Sequence, residues 1–146
     1  MPTDAAVRVV DALRSALGAD RVLPDGELRD YQLGGMHPAA AALPRDEAQV
    51  AATLRLAHRE GWGVVPWGGG AHQSRGRLPA RYDVALDLRR LNRLLLYEPA
   101  DMTVTVEAGA RLADLQRRLG ESGQFLPLDP PQAERATLGG GETGSG

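Results

Sequence analysis

The sequence predicts an α+β fold with a small mixed β-sheet flanked by helices. Three segments repeat apolar residues at intervals of three and four, which is the spacing of an amphipathic helix. Several shorter segments are apolar runs or alternate apolar and polar residues, as strands do. A chain of 146 residues can bury a single core, so one domain is expected.

Capping residues and glycines bound the predicted helices. The first has Asp4 as its N-cap and stops at Gly18. The second follows Asp46, which forms a capping-box pattern with Gln49, and stops at Gly61. The expected buried faces are Val7, Val10, Leu13 and Leu17 in the first helix, Val50, Leu54, Ala57 and His58 in the second, and Leu112, Leu115 and Leu119 in a third that runs from Arg111 to about Gly120.

Five strands are predicted between and after these helices. Their spans are Ala39–Leu43, Val64–Pro66, Val84–Leu88, Leu94–Tyr97 and Thr103–Glu107. The first two enclose the second helix, which indicates a strand–helix–strand unit. In the third, Val84, Leu86 and Leu88 alternate with other residues, which predicts one buried face.

The other segments are predicted to be irregular. Residues 21–38 are interrupted by glycines and prolines, which indicates a surface excursion with one helical turn around Asp25–Tyr31. Prolines make Phe125–Arg135 an extended loop. We therefore divide the chain into a lead-in at 1–38, a folded lobe at 39–140 and a flexible glycine-rich tail at 141–146.

Composition excludes several classes of protein. The net charge is −2 and only 4% of residues are aromatic, so neither the basic surface nor the stacking side chains of a nucleic-acid-binding protein are expected. The absence of cysteine excludes disulfides and thiolate chemistry. His37, His58 and His72 form no metal-binding pair, so no metal site is predicted.

Nothing in the sequence predicts membrane insertion or export. No apolar run approaches the roughly 18 residues of a transmembrane helix. The segment Met1–Asp4 lacks the basic start and apolar core of a secretion signal. A cytoplasmic location is therefore expected.

The most informative stretch is the glycine-rich segment after the second strand, where Trp67 leads into Gly68, Gly69 and Gly70. Glycine has no Cβ and adopts positive φ readily, so consecutive amides there can converge on a phosphate. The stretch lacks the lysine of a P-loop and fits the dinucleotide pattern G-x-G-x-x-G only loosely. Taken alone, it leaves a phosphate-binding loop and a ligand-free surface loop equally open.

Other conspicuous residues also admit two interpretations. The Trp67 side chain could contact a cofactor, but packing in the core is at least as typical. The cluster of Arg89, Arg90 and Arg93 could attract a phosphate, although a solvated turn is more typical. No carboxylate pair suits acid–base catalysis, so we predict no catalytic residue in this chain.

Five motifs in a fixed order carry a resemblance to a known family. They are Pro66–Gly70, Asp87–Arg93, Thr103–Ala110, Leu126–Pro131 and Ala136–Gly140. Their succession resembles the FAD-binding domain of the vanillyl-alcohol oxidase and p-cresol methylhydroxylase family. Within it, the sequence is most similar to the FAD-binding subunit of bacterial glycolate oxidase and to the D-2-hydroxyacid dehydrogenases. The resemblance covers roughly 39–140 and implies the first lobe of such a domain.

The resemblance implies a set of FAD-binding residues. The glycine loop would wrap the diphosphate, the later turn would lie along the flavin and its ribityl chain, and the proline-rich segment would approach the flavin ring. The implied residues are Trp67, Gly68, Gly69, Gly70, Ala71, His72, Gln73, Pro130, Thr137, Leu138, Gly139 and Gly140. Some relatives attach FAD through a histidine directly after the glycines. Since Ala71 occupies that position here, a non-covalent flavin is expected.

The implied function is the FAD-binding lobe of a flavin-dependent oxidoreductase acting on a 2-hydroxy acid such as glycolate or D-lactate, incomplete as an enzyme by itself. Further subunits of a glycolate-oxidase-like complex are possible partners. The alternative is a non-catalytic truncated or scaffold α+β domain that binds no flavin alone. A third hypothesis, another nucleotide at the same loop, is weakened by the missing P-loop lysine.

Overall fold

The computed structural model describes residues 2–70, 76–130 and 132–141. The chain divides into two compact units. The first unit consists of Met1–Trp67 and Ser74–Asp87, and the second consists of Gly68–Gln73 and Leu88–Gly146. Strands and helices occur in both units, so the predicted α+β class with a small mixed sheet is confirmed.

The first unit contains a four-stranded mixed sheet. Its strands are β1 (Val22–Leu23), β2 (Ala40–Ala42), β3 (Val64–Trp67) and β4 (Val84–Asp87), in the order β1-β2-β4-β3. Strand β1 is antiparallel to β2, whereas β4 runs parallel to both of its neighbours. The predicted strand–helix–strand unit is present in the chain, but β4 lies between its two strands. All four residues of β4 are buried, because a central parallel strand is covered on both faces.

Helix α1 (Asp4–Leu17) follows Thr3, not the predicted N-cap Asp4. The Thr3 hydroxyl oxygen accepts a hydrogen bond from the Ala6 N–H at 3.2 Å, while Asp4 occupies the first turn. The predicted stop is confirmed, since Gly18 ends the helix at φ +100°. Val10, Leu13 and Leu17 are buried as expected, but Val9 replaces the exposed Val7 on the buried face.

Helix α2 (Glu47–Glu60) begins and ends as predicted, but Ala57 is the one residue of its predicted buried face that is buried. Asp46 accepts from the Gln49 N–H at 2.8 Å, and Gly61 adopts a left-handed conformation at the other end. The buried residues are Thr53, Leu56 and Ala57, whereas Leu54 and His58 are exposed. Thr53 can be buried because its hydroxyl donates to the Gln49 carbonyl at 2.8 Å.

The lead-in before β2 is part of the first core and not the predicted surface excursion. Leu28, Tyr31 and Leu33 are buried in one cluster with Trp67 and Tyr82. The single helical turn expected around Asp25–Tyr31 is present as a short 3₁₀ helix at Arg29–Tyr31. The burial of these residues could not be predicted from the sequence, because the apolar residues of this segment follow neither a helical nor a strand period.

A hydrogen-bonded aromatic network lies within this core. The Trp67 indole N–H donates to the Tyr82 hydroxyl at 2.6 Å, which donates to the Tyr31 carbonyl at 2.9 Å. The Tyr31 hydroxyl donates to the Asp87 carboxylate at 2.6 Å. The rings of Tyr31 and Trp67 meet edge to face with centroids 5.4 Å apart. Burial raises the pKa of Tyr82, so its hydroxyl keeps its proton and remains a donor.

The second unit contains a two-stranded antiparallel sheet of β5 (Leu94–Glu98) and β6 (Thr103–Val106). Helices α3 (Leu112–Gly120) and α4 (Leu138–Gly141) follow. Leu112, Leu115 and Leu119 are buried, which confirms the face predicted for the third helix. The three leucines of β5 are between 40% and 52% exposed, so described residues leave much of this strand's apolar surface uncovered.

An ion pair closes the β5–β6 hairpin at its open end. The Arg93 backbone N–H donates to Glu107 at 2.8 Å, and its guanidinium donates to the other carboxylate oxygen at 2.7 and 3.0 Å. These hydrogen bonds from Arg93 hold the pKa of Glu107 below its usual value.

The segment before α4 is largely the extended loop that its prolines predict. The Gln116 side chain fixes it by pairing with both the N–H and the carbonyl of Leu126, at 2.9 and 2.6 Å. A turn at 132–135 then leads into α4. That helix reaches Gly141, the first residue of the predicted tail, and the rest of that tail lies outside the described residues. None of the helices in the described ranges combines the length and apolar character needed to span a bilayer.

We expect Tyr82→Phe to destabilise the chain without changing its fold. The substitution removes the acceptor of the buried Trp67 N–H, and an unpaired buried donor costs about 1–3 kcal/mol. Chemical denaturation followed by tryptophan fluorescence measures this loss. Tyr97→Phe is the control, because the Tyr97 hydroxyl bonds to Gln124 in a half-exposed position. Equal stability losses in both variants would contradict a special role for the buried network.

Glu107→Gln should change how stability depends on pH. Because the folded-state pKa of Glu107 is lowered, its stabilising contribution is complete above the ordinary carboxyl pKa of about 4.3 and is lost as the pH falls through the lower folded value. The stability of the variant should therefore not show this decrease at acid pH. At neutral pH it should be less stable by roughly 1 kcal/mol or less, since the pair is partly exposed.

Urea denaturation across the acid range measures both effects. Glu98→Gln removes a carboxylate from the same hairpin without touching the Arg93 pair. An unchanged acid dependence in Glu107→Gln would show that the pair contributes nothing to stability.

Candidate cofactor-binding site

The glycine loop leaves the first core directly at the end of β3. Trp67, the last residue of that strand, is 6% exposed and donates its indole N–H to Tyr82. Its side chain therefore packs in the core, which is the alternative that the sequence left open. A contact between Trp67 and a cofactor would have to use its backbone.

Gly68 and Gly69 lie against the turn that precedes α4, within the second unit. A Cβ added to Gly68 would overlap the Thr137 hydroxyl oxygen, and one added to Gly69 would overlap the Arg135 carbonyl oxygen. No side chain fits at either position without moving backbone or a buried residue. The structure thus brings the predicted glycine loop and the predicted Thr137 turn together, at backbone distance.

The turn itself is held by a short backbone ladder. The Leu112 N–H donates to the Ala136 carbonyl at 3.0 Å, and the Leu138 N–H donates to the Ala110 carbonyl at 2.9 Å. The Gly139 N–H donates to the Ala108 carbonyl at 2.9 Å. The backbone N–H groups of Leu138 and Gly139 therefore already donate hydrogen bonds within the chain. These two predicted site residues could contact a cofactor only through other atoms.

A cavity of about 810 Å³ lies beside the loop and the turn, within the second unit. This volume is in the range of small-molecule sites. Gly69, Thr137 and residues from the first half of α3 line it, together with Leu94 of β5 and Val106 of β6. The charged and amide side chains along the wall are Arg89, Asn92, Arg111, Asp114, Arg118, Glu134 and Arg135.

The cavity wall therefore carries more positive than negative charge, with four arginines against two carboxylates. Part of this charge is compensated by neighbouring groups. Asp114 pairs with Arg117 at 3.0 Å, and Arg118 pairs with Glu121. Sequence reasoning considered Arg89 but missed Arg111 and Arg135. Their positions in the sequence could have indicated them, because Arg111 lies two residues after the motif glycine Gly109 and Arg135 lies two residues before Thr137.

The remaining predicted site residues are less informative. Gly70 adopts φ +74°, which favours glycine there. Gly140 lies in α4, where an added Cβ would be 3.4 Å from the Thr137 hydroxyl oxygen. Pro130 is half-buried in the extended loop and does not line the cavity. The predicted contacts Ala71, His72 and Gln73 lie outside the described residues.

The described residues contain no group of three or more His, Cys, Asp or Glu side chains that could hold a metal ion. His37 and His58 are both exposed. Among these residues, the arrangement that can bind a ligand is the glycine loop, the Thr137 turn and the arginine-lined cavity beside them.

Comparison with known proteins identifies the family. The sequence profile of the family described as "FAD binding domain" matches residues 38–144, which is well over half of the chain. The chain belongs to this family.

Curated relatives agree with this assignment. The chain is 35% identical over 104 residues to the D-2-hydroxyglutarate dehydrogenase of Xanthomonas citri pv. viticola, covering 71% of this chain and 22% of that protein. It is 27% identical over 103 residues to the glycolate oxidase subunit GlcD of Bacillus subtilis, covering 70% and 22% respectively. The chain thus spans about a fifth of the length of these relatives. The predicted resemblance to glycolate oxidase and D-2-hydroxyacid dehydrogenases is confirmed.

Solved structures show the same fold. A structure of alkyldihydroxyacetonephosphate synthase matches with a TM-score of 0.73 at 26% identity, covering 92% of this chain and 30% of that one. A substrate-bound structure of p-cresol methylhydroxylase matches with a TM-score of 0.70 at 22% identity, covering 86% and 26%. The predicted fold, a lobe of a p-cresol-methylhydroxylase-type FAD-binding domain, is confirmed.

The residues present fit FAD. Gly68 and Gly69 pack against Thr137 and Arg135 where no side chain fits, so at the cavity wall Gly69 presents only backbone to a ligand. The cavity beside the glycine loop is lined by more arginines than carboxylates, which suits a diphosphate.

Proposed function

We propose that this chain holds FAD through the diphosphate, as the first lobe of the FAD-binding domain in a longer flavin-dependent oxidoreductase. One observation carries the proposal: Gly68 and Gly69 pack against the backbone of Arg135 and the hydroxyl of Thr137. A loop packed so closely against a turn is a preformed surface, and a preformed surface binds without the cost of ordering a flexible segment.

The glycine loop from Gly68 to Gln73 would face the diphosphate with its amides. The turn from Thr137 to Gly140 would lie along the flavin and its ribityl chain, and Pro130 would approach the ring. When bound, FAD would supply the capacity to take up hydride from a substrate carbon. The chain's own residues bind and orient the cofactor, and none is assigned a catalytic role.

We propose a 2-hydroxy acid, such as glycolate or D-lactate, as the substrate of the complete protein. The D-2-hydroxyglutarate dehydrogenase and glycolate oxidase subunit among the relatives support this class of substrate. The likeness to alkyldihydroxyacetonephosphate synthase supports only the cofactor domain, because the reaction named there is different. Further subunits of a glycolate-oxidase-like complex and a cytoplasmic location belong to the same proposal.

We expect Gly69→Ala to weaken FAD binding by roughly tenfold or more, because the added methyl group overlaps the Arg135 carbonyl and must displace the turn. Quenching of FAD fluorescence on titration with the purified chain measures the affinity.

Gly120→Ala is the matched control, since an added Cβ at Gly120 meets no atom within 4 Å. This variant makes the same chemical change in the same unit and should bind FAD as the unchanged chain does. Thermal melts of both variants separate a local displacement from unfolding. If the unchanged chain fails to quench FAD at any concentration, the alternative of a scaffold domain that binds no flavin alone replaces the proposal.

We also propose that the flavin is held without a covalent bond, because Ala71 stands where some relatives carry the attaching histidine. A denaturing mass spectrum of protein purified with FAD should show the mass of the chain alone, with free FAD released in the supernatant. A peak heavier by the mass of FAD would contradict this expectation and would direct attention to His72.

A further inference from the structure

The cavity beside the glycine loop contains two arginines for which the family match gives no role. Arg111 and Arg135 both line the cavity together with Gly69. Both are exposed, and no ion pair of either residue occurs among the described residues. Within the described part of the chain these two guanidinium groups have no carboxylate partner, so they are available to an anionic ligand beside the glycine loop.

Backbone contacts link both arginines to the glycine loop. Arg135 contributes the carbonyl against which Gly69 packs, and its own N–H donates to the Gln132 carbonyl at 2.8 Å. Arg111 forms a backbone bridge with Thr137, whose hydroxyl contacts Gly68. The backbone of both arginines therefore belongs to the same set of contacts as the glycines.

Several other charged groups around the cavity have interactions of their own. Asp114 is compensated by Arg117, and Arg118 by Glu121. Glu134 is the remaining carboxylate on the wall, next to Arg135 in sequence. Asn92 adds an uncharged donor, and Arg89 on the neighbouring turn has an interaction of its own.

We propose that Arg111 and Arg135 are specificity-determining residues that bind the diphosphate of the ligand at the glycine loop. Guanidinium groups make charge-assisted, bidentate hydrogen bonds to phosphate oxygens. The neutral amides of the glycines cannot make hydrogen bonds of this kind. The pair makes the site select ligands that carry a diphosphate over neutral flavins such as riboflavin. The identity of the natural ligand rests on the proposed function. The preference of the site for ligands that carry a diphosphate can be measured independently of that identity.

The test uses inorganic diphosphate as a probe in an NMR titration of the isotope-labelled chain. Diphosphate should shift the amide signals of Gly69, Arg135 and Thr137. Its affinity should fall about fivefold in Arg111→Gln and in Arg135→Gln, because each removes one charge-assisted contact at an exposed site. Raising the salt concentration should weaken binding, and Glu134→Gln should strengthen it about twofold by removing a repelling charge.

Arg90→Gln is the control, because Arg90 is an equally exposed arginine of the second unit that does not line the cavity. This variant changes the net charge by the same amount and should keep the affinity of the unchanged chain. If the affinity falls equally in all three arginine variants, or if diphosphate shifts no signal near Gly69, the inference is wrong.

Parallel titrations with FAD and riboflavin separate this inference from the proposed function. FAD binding that Arg111→Gln and Arg135→Gln leave unchanged would support the flavin assignment and overturn the role of the arginines. Arginine-dependent diphosphate binding without any FAD binding would support the anion site and overturn the flavin assignment. Binding of FAD that depends on both arginines, with riboflavin unaffected by either variant, supports both.

Discussion

The candidate site depends on one constraint, the close approach of two pieces of backbone. Gly68 and Gly69 lie where any side chain would overlap Thr137 or Arg135. This contact holds the glycine loop against the turn before α4 and gives the cavity one of its walls. Only glycine permits it, because even a single methyl group would separate the two segments. The residues that would contact a ligand are therefore held by packing, before any ligand is present.

The first unit has a constraint of its own, a buried polar network at the end of β3. Trp67, Tyr82, Tyr31 and Asp87 satisfy one another's hydrogen-bonding groups, so they can be buried at little cost. A network of this kind is more specific than an apolar contact, since each donor must meet its acceptor. It fixes the position of the Trp67 side chain within the core of the first unit.

The second unit supplies the charge. The ladder between 108–112 and 136–139 uses the amides of Leu138 and Gly139 internally, which leaves ligand recognition to other groups. The same ladder places Arg111 beside Thr137. Backbone pairing thus places an exposed cationic side chain near the backbone of the glycine loop. This combination suits a ligand with a compact, strongly anionic centre and larger neutral parts.

The sequence by itself determined the α+β class, most helix boundaries, the third helix's buried face and the family, because capping, glycine stops and motif order are local signals. Only the tertiary structure decided that Leu28, Tyr31 and Leu33 enter the core and that β4 lies between β2 and β3. It also decided that Arg111 and Arg135, separated by 23 intervening residues, face one cavity. These features arise from contacts between residues distant in the chain, and such contacts leave no periodic pattern in the sequence.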